Sequence, residues 1–257
     1  MATVIPKTST VLTSLLRADF TTQWRNRKAV ILTIIVPVII LISWKGLVDK
    51  VGGPFVLANS ITIGLFASGI MGYSNSVARD RDKGIFQRLR VAPLPSWAIM
   101  ASRLLVQLAM IVLITTAVFI IGKEYDGIAL TPTGYVFTYL TAIVGGAVSL
   151  SVGQMVVGFI KNPETVNSTT RLVYLAFILG GMFGELDHAL NQKQSQISAM
   201  IDKVVLLSPY GTVKTMLSAV MEPTRWDSDT SIALFVTILY IIGFTTLGIK
   251  WFKWNTK

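Results

Sequence analysis

Six long apolar stretches, roughly Ala29 to Leu47, Pro54 to Val77, Trp97 to Gly122, Gly134 to Ile160, Thr165 to Met182 and Ser231 to Phe252, take up most of the 257 residues. A hydrocarbon layer about 30 Å thick is crossed by about 20 apolar residues in a helix, and backbone polar groups at that depth must be satisfied within the protein. Stretches of this length leave no room for a water-facing globular core. Composition agrees, with 14% charged residues against about 25% in an ordinary soluble domain, and a mean hydropathy of +0.62. The expected fold class is an all-α membrane protein with six transmembrane helices. An N-terminal amphipathic interface helix over 1–28 would precede a six-span domain over 29–257.

An even number of spans puts both termini on one side. The N-terminal arm, residues 78–103, residues 161–171 and the C-terminal tail together hold sixteen Lys/Arg, against seven on the other face, while Asp and Glu divide four to nine. The resulting face charges, +12 and −2, account for the net +10. Cytoplasmic loops carry the Lys/Arg excess, so both termini are expected inside a prokaryotic cytoplasmic membrane. The basic balance then reflects topology and contact with anionic membrane lipid, not nucleic acid. The first stretch is longer than a signal-peptide core and ends at Trp44-Lys45 without a small-residue cleavage pattern, so it is expected to be retained.

In the N-terminal arm Val11, Leu12, Leu15, Leu16, Phe20 and Trp24 recur at helical spacing, with Arg17, Thr21, Arg25 and Lys28 between them. This describes a helix lying in the membrane interface. Two readings stay open: a lipid anchor, or a lever in which Arg17, Phe20, Trp24 and Arg25 meet a cytoplasmic partner.

Chemistry is sparse. There is no cysteine, and His188 with Glu185 and Asp187 forms no recognised metal site. Gly243 to Gly248 lacks the Lys-Ser/Thr that a phosphate loop needs and lies inside the last span. No nucleophile and base stand out, so no catalytic residue and no cofactor on this chain are expected. No Asp or Glu falls near mid-span, which argues against an ion-coupled carrier. Arg103 and Arg171 have no obvious acidic partner and are expected to snorkel. Asn75, Gln107 and Gln154 suit helix-to-helix hydrogen bonds or a pathway lining, and the glycines at 145–146, 153–158 and 180–184 suit close helix packing. Pro37 is expected to kink the first span.

Between the second and third spans lies a dense cluster, Arg79-Asp80-Arg81-Asp82-Lys83-Gly84-Ile85-Phe86-Gln87-Arg88-Leu89-Arg90. A topological anchor needs a few cations; it does not need two Asp, a glycine and an amphipathic turn. Ile85, Phe86 and Leu89 share a helical face, and Pro93 and Pro95 end the turn. The expectation is a short helix parallel to the membrane that serves as a docking surface. Before the last span, Asp202 to Met221 is apolar on one side but interrupted at Ser208-Pro209, which leaves two readings open: a broken outer helix pair, re-entrant or interfacial, or an amphipathic helix resting on the outer leaflet.

These features resemble the permease subunits of ATP-binding-cassette type-2 exporters. The resemblance rests on Asp80, Arg81, Asp82, Gly84, Leu89 and Pro93 in the charged loop and on Leu207-Ser208-Pro209-Tyr210 before the last span. Asp replaces the family's more usual Glu at 80 and 82, Ile its Thr at 85 and Gln its Glu at 87. The resemblance implies a coupling helix that docks the ATPase through Arg79, Asp80, Arg81, Asp82, Gly84, Phe86, Gln87, Arg88 and Leu89. It also implies pathway walls from the second and fifth spans, and the break at membrane depth, whose freed backbone groups need protein or water, leads to the expectation of an outer gate at Ser208, Pro209 and Tyr210. ATP and Mg would be bound by a separate nucleotide-binding subunit, and a second copy of this chain or a homologous permease would complete the exporter of an amphiphilic substrate. The alternative from another class is a membrane-embedded immunity or scaffold protein that binds a lipid-like toxin without ATP.

Overall fold

The computed structural model describes residues 8–25, 27–91, 96–190, 203–222 and 226–252. Among them every regular element is helical: α1 (Thr8–Arg25), α2 (Arg27–Ser43), a 3-10 turn (Lys45–Leu47), α3 (Val48–Val51), α4 (Gly53–Phe66), a π-helical stretch (Ala67–Tyr73), α5 (Ser74–Asp82), α6 (Ile85–Val91), α7 (Ser96–Asp126), α8 (Pro132–Phe159), α9 (Pro163–Leu190), α10 (Pro209–Met221) and α11 (Ser228–Trp251). The α4, π and α5 segments form one continuous rod, Gly53–Asp82.

Four helices are long and apolar enough to cross a membrane: this rod, Ser102–Asp126 within α7, Pro132–Phe159 and Ser228–Trp251. α2 contributes a shorter apolar run, Thr33–Ser43, and α9 opens on the polar sequence PETVNSTTR. Among the described residues, four of the six expected spans therefore qualify by length and composition. α2 passes through Pro37 as a single helix, its ring set against Gly64 of α4. α9 continues to Leu190, past the expected end at Met182, so Glu185, Asp187 and His188 stand on this helix. Residues 191–202, expected on the outer side, and the Pro93–Pro95 stop lie outside the described residues.

The rod is the axis around which the other helices pack. In its most apolar 18-residue window 83% is buried, against 17% for α11. Large apolar side chains instead cover the outside, among them Ile39, Leu140, Leu172, Phe235 and Ile242, as expected where the surrounding solvent is lipid. Lipid gives helices no hydrophobic reason to associate, so close backbone approach matters. A Cβ on Gly153 of α8 would meet the carbonyl oxygen of Gly69 and Oγ of Ser74 on the rod. The glycine expected to pack within the chain does so here.

α11 begins at a side-chain cap. Asp227 Oδ1 accepts from Thr230 N at 2.8 Å and from Thr230 Oγ1 at 2.7 Å, and these bonds hold the carboxyl below its usual range. Replacing Asp227 by Ala should cost about 1 kcal/mol. The folded pKa lies below the unfolded one, so the contribution is complete above the unfolded value of about 3.9 and is lost as pH falls through the folded value. Melting of purified protein should show a parent-to-D227A difference that is full at pH 7 and shrinks below about pH 4. A difference independent of pH would assign the effect to something other than the carboxylate.

Candidate functional site

Successive residues of a helix point about 100° apart, and the last turn of α5 sends three neighbours to three places. Arg79 is exposed and lines a cavity. Asp80 faces α7, where Arg103 Nη2 donates to its Oδ2 at 2.5 Å. Arg81, only 1% exposed, reaches the end of α8: Nη1 donates to Val157 O at 2.8 Å, and Nη2 to Ile160 O at 2.6 Å and Lys161 O at 2.9 Å. The final carbonyls of a helix lack intrahelical donors and carry partial negative charge, so a guanidinium is a fitting cap. Arg103 thus has the acidic partner that spacing along the chain did not reveal. Arg81, expected on a docking surface, is turned into the protein because those carbonyls have no other donor of equal strength.

Gly84 closes α5 with φ of +66°, while its N–H donates to Arg81 O at 3.1 Å; this left-handed turn is where glycine costs least. α6 then lays Phe86 inward. The ring is 3% exposed, clustered with Val77, Ala78, Val156, Val157 and Val166. It meets Phe252 edge-on at 6.1 Å and lies under the Arg103 guanidinium at 4.7 Å. One α6 side chain therefore belongs to a cluster drawn from the neighbouring ends of α5, α7, α8, α9 and α11. Asp82, Lys83, Gln87 and Arg88 are exposed on the other side. Leu89 lies in α6, and its side chain is outside the described residues.

α1 is attached to α7, where Ser102 Oγ donates to Asp19 Oδ2 at 2.6 Å. A small polar cleft of about 30 Å³ beside this bond is lined by Asp19, Tyr73, Asp80, Arg103 and Gln107. The expected apolar stripe divides: Leu12, Leu15 and Leu16 are half-buried, while Arg17, Phe20, Trp24 and Arg25 are exposed. Phe20 and Trp24 stack at 6.0 Å.

A larger cavity of about 590 Å³ opens between α2, the rod and α9. The rod contributes Ala67, Met71, Gly72, Asn75 and Arg79, α2 Thr33 and Val36, and α9 Asn167, Arg171 and Tyr174. Gln107 and Gln154 instead bond across helices, accepting from Ser68 Oγ at 3.2 Å and Tyr73 Oη at 2.6 Å. The two uses considered for these amides are thus divided, Asn75 taking the cavity.

At the opposite end the expected break is present. A helical turn over 203–207 stops at Ser208, whose Oγ accepts from Gly211 N at 3.0 Å to start α10, with Pro209 in the first turn. Tyr210 is fully buried, donating to Asn59 Oδ1 and meeting the Phe66 ring edge-on at 5.6 Å. A Cβ on Gly181 of α9 would strike the same ring. Tyr210 is therefore a wedge between α4 and α9.

Residues 10–189, from α1 to nearly the end of α9, match the family model of the ABC-2 type transporter. The chain belongs to the ABC-2 type transporter family. A protein of Bacillus subtilis (strain 168) named "Putative transport permease YvfS" is 23% identical over 163 residues, which span 61% of this chain and 66%, just under two thirds, of that relative. The ABC-2 chain is a multi-pass membrane protein.

In this ABC-2 chain, the acidic-Arg-acidic-x-Gly element is divided between inside and outside. The burial of Arg81 had a signal available: Ser74, Val77 and Ala78, at helical spacing on the same face, are buried as well. R81A should strand the carbonyls of Val157, Ile160 and Lys161 and cost about 1–3 kcal/mol, as loss of a charged donor to buried acceptors does. R88A, on the exposed face, should stay within about 0.5 kcal/mol. Melting temperature and monodisperse yield of the purified variants measure both, and equal behaviour would remove the clamp assignment.

Proposed function

We propose that this permease is the membrane subunit of an ATP-driven exporter, with α6 as its coupling helix. One observation carries the reading: Phe86 roots α6 among five helix ends, while Asp82 and Lys83 just before α6 and Gln87 and Arg88 on it stand exposed. A displacement applied to the exposed face is passed to the helices at once. The chain would have six spans with both termini cytoplasmic, the residues up to 28 forming an interface helix ahead of the transmembrane domain. It would dock a separate nucleotide-binding subunit holding ATP and Mg, and pair with a second permease. The cavity between α2, the rod and α9 would receive an amphiphilic substrate from the inner side, and the joint at Ser208, Pro209 and Tyr210 would be the outer gate.

Asp82 and Arg88 are exposed, so D82A/R88A should leave fold and membrane level near those of the parent. The same change should reduce copurification of the ATPase subunit and abolish substrate efflux from cells. Normal recovery together with normal efflux would overturn the docking role of α6.

A further inference from the structure

Polarity along the cavity is graded. On the rod, Ala67, Met71, Asn75 and Arg79 follow one another at four-residue intervals toward the cytoplasmic end and all line the same space; twelve residues of helix extend about 18 Å. α9 runs the other way, bringing Asn167, then Arg171, then Tyr174 along the opposite wall. The end near α6 is therefore polar and cationic. The deeper end is formed by Ala67, Met71 and Val36. Two arginines line the space against the single carboxylate of Glu164. Among the described residues the ion pair is Arg103–Asp80, so neither cavity arginine is neutralised by a carboxylate.

We propose that this cavity binds an amphiphile with an anionic headgroup, the head between Arg79 and Arg171 and the chain along Met71, Ala67 and Val36. This deepens the export reading and rests on it for the direction of movement. Guanidinium groups suit phosphate or carboxylate oxygens because each offers parallel N–H donors, and such charge-assisted bonds strengthen where water is scarce. A cationic amphiphile would meet two like charges at the entrance. A free inorganic anion would leave the apolar half of the cavity unused.

The test uses the full-length permease in nanodiscs of neutral phosphatidylcholine, without ATPase, and dodecyl phosphate bearing a diazirine near the chain end. After photolysis, mass spectrometry should find label in peptides containing Val36, Ala67 or Met71. Unlabelled dodecyl phosphate and dodecanoate should suppress labelling; dodecyltrimethylammonium or inorganic phosphate at the same concentration should not. R171Q, at an exposed position, should reduce labelling several-fold, and R79Q/R171Q by roughly tenfold or more. K203Q, which removes an equal charge elsewhere, should leave it unchanged. Labelling indifferent to R171Q, or equally suppressed by the cationic amphiphile, would overturn the proposal. Protection by inorganic phosphate alone would make this a free-anion site and overturn it too. With no ATPase present, failure of the α6 docking reading leaves these outcomes untouched.

Discussion

The guanidinium of Arg81 holding the last carbonyls of α8 is the contact on which the α6 end of the helix bundle depends. A charge out of water is costly unless it is hydrogen-bonded, and here backbone oxygens accept from both terminal nitrogens of the guanidinium. The bonds to Val157, Ile160 and Lys161 set where the rod stops relative to α8. Gly84 can then reverse the chain, and α6 is delivered with Phe86 facing inward. Asp80 and Arg103 add a second attachment on the α7 side, so α5 is held from two directions while Arg79 remains outside both.

Higher in the rod the same division of faces is made with uncharged groups. Ser68 bonds Gln107 of α7, and Tyr73 and Ser74 bond Gln154 and the Gly153 carbonyl of α8. Such interhelical bonds contribute about 0.6–2 kcal/mol each in a membrane, and they fix rotation as well as separation. The face carrying Met71, Asn75 and Arg79 is left to the cavity. A rod that is so largely buried keeps one stripe open because its other polar residues point elsewhere.

Much of the helical framework was legible because lipid imposes a length that sequence must meet. The last four apolar runs reappear with their ends moved by a few residues, or by eight at the extended end of α9. Contacts of the charged loop were less legible. Nothing in the spacing of Asp80 and Arg103 announces a pair, and the acceptors for Arg81 are backbone atoms, which leave no residue-type signature. What sequence did offer was the helical face shared by Ser74, Val77, Ala78 and Arg81; read for charge alone, the cluster looked like surface throughout. Tyr210 was similar. Its place beside Ser208-Pro209 was evident, whereas its bond to Asn59, 151 positions away, was not.

The π-helical stretch Ala67–Tyr73 lies within the cavity wall and divides the rod into two phases. Each surplus residue accommodated in such a turn rotates everything beyond it by about 100° relative to an uninterrupted α-helix. The angular position of Asn75, Arg79, Asp80 and Arg81 is therefore set by the winding of these seven residues and not by the packing of α4. Rewinding them into α geometry would act like turning a key: the upper half would keep its neighbours while the lower half presented a different set of side chains to the cavity, to α7 and to the end of α8.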